Sequence, residues 1–348
     1  MRQHIVNLGA EARIALRALD VLKDFVSRTL FVVNDDNKLV GSLTDGDIRR
    51  GLLNGLEISH SIADFMNNNF KYLKSSEDNI TLIKEYKNNG ISLIPLIDDN
   101  FQLLEILDLT ITKTILPVAA LIMAGGKGER LKPLTEQTPK PMLKIGNKPI
   151  IEYNIDRLIA YGIKDIFISV KYLKEQVINH FGNGSSKGVN IYYIEEDEPL
   201  GTLGALSLIE NLHYEDILVM NSDLLTNIDF EDFYQFYMQE NASMALASIP
   251  YKVNIPYAVL ETFEHKVASF TEKPDYIYYS NGGIYLMKVA LRDMFVKGSY
   301  FNATDLMDKV IADERHSLVH FPLLGYWLDI GKHQDYLKAQ EDVKHINF

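Results

Sequence analysis

Three glycines and the basic pair Arg130 and Lys140 lie close together near the middle of the chain, in Gly125-Gly126-Lys127-Gly128-Glu129-Arg130 and, ten residues beyond Arg130, Lys140. The preceding run Val118-Ala-Ala-Leu-Ile-Met123 is continuously apolar and reads as a buried strand. Glycines at the end of a strand let backbone amides approach an anion, because no Cβ stands in the way. Pro133, Pro139 and Pro141 stiffen the segment that carries both cations, so two positive charges and many amides can surround a polyphosphate. A tight strand-to-helix connection would use the same glycines, and it is the flanking residues that favour phosphate binding. Leu131 occupies the third-glycine place of a dinucleotide fingerprint, and the Gly-Lys-Ser/Thr ending of a P-loop is missing, so dehydrogenase and ATPase readings fall away.

A second chemical feature is Ile217-Leu-Val-Met-Asn-Ser-Asp223, an apolar strand that ends in an aspartate. Open α/β sheets place ligand-contacting groups at such strand ends, which makes Asp223 a candidate ligand for Mg²⁺. A turn or helix cap would use the same Asn-Ser-Asp residues. Mg²⁺ takes oxygen ligands and keeps several waters, so two carboxylates with substrate phosphate oxygens suffice. His180, His213 and His316 have no metal-ligand spacing, and no Ser/His/Asp arrangement is evident. The absence of cysteine excludes disulfides, thiolate metal sites and thiol nucleophiles.

Gly125-Gly126-x-Gly128-x-Arg130-Leu-x-Pro133-Leu-Thr, Pro139-Lys140-Pro141-Met-Leu143 and Lys148-Pro149-Ile150 together resemble the signature of the sugar-phosphate nucleotidyltransferase family. The resemblance implies that Arg130 sits on the β and γ phosphates of a nucleoside triphosphate and that Lys140 neutralises charge at the α phosphate. Met123, Ala124, Gly125, Gly126 and Gly128 would bind the nucleotide. Gly201 and Thr202, within Glu198-Pro-Leu-Gly201-Thr202-Leu-Gly204, would contact the base, although these glycines could merely start a helix over Ala205 to Asn211. Asp329 in Tyr326-Trp-Leu-Asp329-Ile-Gly331 would join Asp223 in holding Mg²⁺. Glu272 and Lys273 of Thr271-Glu-Lys-Pro274 would bind sugar hydroxyls and the sugar phosphate; Asn281 and Gly282 of Asn281-Gly-Gly-Ile-Tyr285 would face the sugar. A lone Glu-Lys-Pro is usually a surface loop, and the second glycine pair also suits a strand bulge. Ala258 in Tyr257-Ala-Val259 replaces the glycine that many relatives have, which restricts the sugar pocket.

These residues need a sheet to hold them. Strand Val118 to Met123, helix Ile150 to Tyr161, strand Asp165 to Val170 and helix Lys174 to Phe181 alternate, which predicts an α/β fold with a Rossmann-like, mostly parallel sheet over residues 118–348. Residues 1–115 read differently. Val33 to Thr44 is echoed by Ile97 to Asp108, displaced by 64 residues, and each copy reads as helix, strand, Asp/Asn turn, strand. The pattern resembles a tandem CBS pair, an α+β module that often binds adenine nucleotides. On that resemblance, Thr44 and Asp47 in Gly41-Ser-Leu-Thr44-Asp-Gly-Asp47 would hydrogen-bond a ribose; a helix cap would use them equally well. Glu105, Asp108 and Ile111 break that pattern in the second copy.

A net charge of −12 disfavours a nucleic acid partner, and the apolar runs are too short to span a membrane. The N-terminal residues lack a signal-peptide pattern, and no hexapeptide repeats occur, so a cytoplasmic enzyme without an acyltransferase helix is expected. The expected substrates are GTP and glucosamine-1-phosphate, serving surface-glycan or nonulosonate precursors. Transfer of uridylyl or thymidylyl to another sugar-1-phosphate is the alternative, as is a non-catalytic nucleotide sensor. CBS pairs commonly associate, so a homo-oligomer is expected.

Overall fold

A computed structural model describes residues 2–22 and 27–346. The chain forms two compact units, Met1–Ile115 and Leu116–Phe348.

The first unit is an internal duplication. Ile5–Asn7 runs parallel to Thr29–Val33, which pairs antiparallel with Leu39–Thr44. Leu73–Lys74, Leu93–Ile97 and Leu103–Asp108 repeat that arrangement, down to a register shift at Val32/Val33 and again at Leu96/Ile97. The turns match as well: Asn37 and Phe101 both adopt left-handed backbone conformations, with φ of 58° and 63°. Leu39 N–H donates to the Phe101 carbonyl and Leu103 N–H to the Asn37 carbonyl, so the two copies exchange equivalent bonds. Phe31, Val33 and Leu39 then share one apolar cluster with Ile97 and Ile106, which buries faces that neither copy could cover alone. The copies diverge after the last strand. Thr44 caps the helix Asp45–Leu53 through a reciprocal capping box with Asp47, whereas residues 109–118, directly after Asp108, form no helix.

In the second unit, seven strands make one sheet. Their order is Asn190–Glu195, Asp165–Val170, Ala119–Met123, Asp216–Asn221, Asp275–Lys288, Met244–Asn254, Leu318–Pro322. Asp275–Lys288 is antiparallel to both neighbours, and the other four pairings are parallel. Leu121, Ile122, Ile217 and Val219 are completely buried, because helices and loops cover both faces, and this produces the unbroken apolar runs of the two central strands. One face packs Ala119, Leu121, Ile217 and Val219 against Ala303, Leu306 and Val310 of the helix Ala303–Ala312. The helix Ile150–Ala160 buries Ile151, Ile155 and Leu158 along one stripe, and Gly162, at φ 73°, follows its end.

The segment expected to be helical over Ala205 to Asn211 is a short 3₁₀ turn, Gly204–Leu208. A Cβ at Gly204 would lie 2.5 Å from the Ser299 carbonyl oxygen, so close packing against that loop takes precedence over helix propagation. Beyond the sheet, Met244–Asn254 and Asp275–Lys288 stay paired and carry a hairpin of Val259–Phe263 and Lys266–Thr271. Phe263, Phe270 and Tyr278 on this arm are exposed. Among the described residues, no helix is long and apolar enough to cross a membrane.

Candidate active site

Four parallel strands end on the same side of the sheet, and a cavity of about 540 Å³ opens there. Open α/β sheets place their ligands at this edge. Its geometry begins with a small apolar core. Leu131, Leu143, Ile145 and Ile150 from the cation-bearing segment pack against Leu225, Leu328 and Ile330. That cluster seats the loop of Arg130 and Lys140 beside two short antiparallel strands, Leu224–Thr226 and Trp327–Asp329. Leu224 pairs with Asp329, and Ile330 N–H donates to the Asp223 carbonyl at 3.1 Å. Two carboxylates about a hundred residues apart in sequence are thereby brought together.

Lys140 lies between them. Its ammonium is hydrogen-bonded to Asp223 and stands 3.8 Å from Asp329 Oδ1. The Lys140 and Asp223 side chains are 13% and 18% exposed, so water screens the contact weakly. Asp223 Oδ1 and Asp329 Oδ1 are nevertheless buried without a hydrogen-bond partner. Burial first, and the neighbouring Asp223 charge second, push the Asp329 carboxyl above its ordinary range, against the pull of Lys140 and Arg130. Two unsatisfied, converging carboxylate oxygens form the donor set that a hard divalent cation requires. No group of three or more His, Cys, Asp or Glu side chains suited to a metal occurs among the described residues, so such an ion would complete its shell with water or substrate oxygens.

The glycines have distinct reasons for being there. Gly128 sits at φ 63°, and a Cβ on it would stand 2.9 Å from Lys140 Cβ, so this glycine makes room for the lysine. Gly126 meets nothing within 4 Å and leaves its backbone open, and it lines the cavity with Gly125 and Gly128. Gly201, at φ 74°, packs against Phe301 and Asn302, and Thr202 Oγ1 accepts from Ala303 N–H at 2.8 Å.

Of the residues expected to bind nucleotide, Met123, Gly125, Gly126, Gly128, Gly201 and Thr202 line the cavity together with Arg130, Lys140 and Asp223. Ala124 is buried behind it, with its N–H donated to the Ser169 carbonyl. Glu272 and Lys273 lie on the exposed arm, outside the cavity. Asn281 and Gly282 come nearer. Gly282 accepts from Trp327 Nε1–H at 2.9 Å, and Gly283 packs on Asn221, which lines the cavity. Sequence reasoning missed Ser169, Glu196, Tyr300 and Asn302, which also line it.

A model of the nucleotidyl transferase family matches residues 119–346, and a CBS domain model matches residues 1–54. Over 227 residues the chain is 34% identical to a mannose-1-phosphate guanyltransferase of Yarrowia lipolytica, covering 63% of this chain and 62% of that protein. It is 32% identical over 232 residues to a D-glycero-alpha-D-manno-heptose 1-phosphate guanylyltransferase of Aneurinibacillus thermoaerophilus, covering 65% of this chain and 98% of that protein. The crystal structure of a candidate glucose-1-phosphate thymidylyltransferase from Bacillus anthracis superposes with a TM-score of 0.54 at 25% identity, covering 66% of this chain and 97% of that one. The chain thus spans 62% of the length of the mannose-1-phosphate guanyltransferase it matches. With the glycine loop, Arg130, Lys140 and Asp223 lining one cavity, and Asp329 beside Lys140, the chain belongs to the nucleotidyl transferase family.

Proposed function

We infer that the chain transfers a guanylyl group from GTP to a sugar-1-phosphate, releasing pyrophosphate. The observation that carries this reading is Lys140 held between Asp223 and Asp329 beside the glycine loop. In the reaction an oxygen of the sugar phosphate forms a bond to the α phosphorus, and the bond to the β-phosphate oxygen breaks, its electron pair leaving with pyrophosphate. That nucleophile is already ionised at neutral pH, so the chain needs no general base. Its work is alignment and charge compensation. Arg130 binds the outer phosphates, Lys140 stabilises charge growing on the α phosphate, and the amides around Gly126 bind phosphate oxygens. Asp223 and Asp329 would hold Mg²⁺, which supplies charge neutralisation to the triphosphate.

GTP is favoured because the two relatives described above from Yarrowia lipolytica and Aneurinibacillus thermoaerophilus are guanylyltransferases. Glucosamine-1-phosphate is the favoured acceptor, for a surface-glycan or nonulosonate precursor made in the cytoplasm. Glu272 and Lys273 would engage the sugar and its phosphate, with Asn281 and Gly282 at the cavity edge. The duplicated N-terminal unit would regulate a homo-oligomer by binding an adenine nucleotide at Thr44 and Asp47. Titration calorimetry with AMP tests that part, since Thr44 now bonds Asp47 Oδ2 and Arg50 takes Asp47 Oδ1.

Incubation with each of GTP, UTP, dTTP and CTP against glucosamine-, mannose-, heptose- and glucose-1-phosphate, read by product mass, tests the substrate pair. The expected product is GDP-glucosamine. A uridine or thymidine diphosphate sugar as the main product would overturn the choice of base, and no product from any pair would favour a sensing protein.

A further inference from the structure

We propose that the arm beyond the sheet is the surface by which two copies of this chain pair, arm against arm about a two-fold axis.

The arm lacks the cover that such a structure needs. Asp275–Lys288 pairs with Asp216–Asn221 only from Ile284 onward, and Met244–Asn254 pairs with Leu318–Pro322 only as far as Ser248. Past those points residues 249–254 and 275–280 form a two-stranded ribbon, with no third strand on either edge among the described residues. The hairpin of Val259–Phe263 and Lys266–Thr271 is likewise two-stranded. An isolated pair of strands is marginally stable at best in water, and its side chains must be packed against something. Its open edges also present unpaired backbone groups to a further strand.

The exposed side chains set the size of that contact. Tyr251, Tyr257, Phe263, Phe270, Tyr276 and Tyr278 are 36–75% exposed. At roughly 200 Å² for each aromatic residue, about 750 Å² of their surface is open. A standard stable interface buries about 800 Å² on each partner. The rings are also grouped. Tyr251 stands directly opposite Tyr278 across the ribbon, and Tyr276, two residues along, shares their face, its ring 6.4 Å from that of Tyr278. A contiguous apolar patch of this kind marks an interaction surface, which single scattered residues do not.

The charges favour a second copy as the occupant. Residues 249–281 carry Lys252, Lys266 and Lys273 against Glu261, Glu264, Glu272 and Asp275, a net charge of −1 in a chain of −12. Two copies approaching through the rest of their surface repel each other, whereas their arms meet nearly neutral. A two-fold contact requires a patch that complements itself, and tyrosine rings do so by packing edge to face or offset on one another.

The chain has no cysteine, so a single introduced thiol reports proximity without background. Val253 pairs with Tyr276 on the aromatic face. In the full chain, Val253→Cys treated with a short bismaleimide should give a covalent dimer as the main product. Lys338→Cys, exposed on the helix His333–Asp342, should give none. Tyr251→Glu combined with Tyr278→Glu should weaken pairing by about 100-fold or more, as loss of two central aromatic contacts does, and should halve the mass measured by sedimentation. A wild type that sediments as a monomer, or a Val253→Cys chain that yields no covalent dimer, would overturn the proposal. A mass left unchanged by the paired glutamates would put the contact on another face and overturn it as well. Should the paired glutamates prevent folding, Val253→Cys, a small and conservative change, decides the matter alone.

Discussion

Replacing Lys140 by Met is expected to lower kcat by about 10²–10³-fold, the usual cost of removing one preorganised group that stabilises transition-state charge. The same substitution should weaken the metal-free protein by about 3 kcal/mol, because it leaves Asp223 and Asp329 facing each other with their shared cation gone. Mg²⁺ should restore much of that stability and little of the activity. A melting curve with and without Mg²⁺, set beside steady-state rates, separates the two effects. If Lys140 served only to hold the fold, activity would return with stability.

Asp329→Asn should act in the opposite sense on stability. Burial and the Asp223 charge raise the Asp329 carboxyl above its ordinary value of 3.8, so the folded state holds its proton more tightly than the unfolded state does. Stability from this group is therefore complete at low pH and is lost as pH rises from the ordinary value through the raised one. At neutral pH the ionised carboxylate works against folding. Removing its charge should raise the Tm of the metal-free protein while lowering turnover by about 10²-fold or more. The Tm difference between variant and wild type should open over that pH window and stay open above it. A variant less stable than the wild type at pH 7, in the absence of metal, would show that the Lys140 contact outweighs the repulsion.

Much of this fold was readable in the sequence. The unbroken apolar run into Met123 predicted a doubly covered strand, and Ala119–Met123 is one. The helix expected over Ile150 to Tyr161 forms over Ile150–Ala160. The 64-residue echo in the first unit reappears in strand pairing, turn conformation and reciprocal hydrogen bonds. Local sequence carries these features because hydrophobic period and turn chemistry are local.

What stayed hidden depends on strand order. Ser169, Glu196 and Asn302 have no motif of their own; they meet because Asn190–Glu195 and Asp165–Val170 lie beside Ala119–Met123, and because Asn302 folds back onto Gly201 and Thr202. The glycines of the Pro-Leu-Gly-Thr segment also carry a packing reason that sequence alone could not separate from ligand approach, since Phe301 and Ser299 occupy the space a side chain would need. Glu272 and Lys273 show the converse. Their motif was clear, yet the long pairing of Met244–Asn254 with Asp275–Lys288 carries them out along an exposed arm.

The most direct test is pyrophosphate release from GTP by the wild type and by Asp223→Asn, with and without glucosamine-1-phosphate and Mg²⁺. Release by the wild type only when both are present, slowed about 10³-fold in the variant, is the predicted result. Release by the variant at the wild-type rate, or by the wild type without a sugar phosphate, would contradict nucleotidyl transfer at this carboxylate pair.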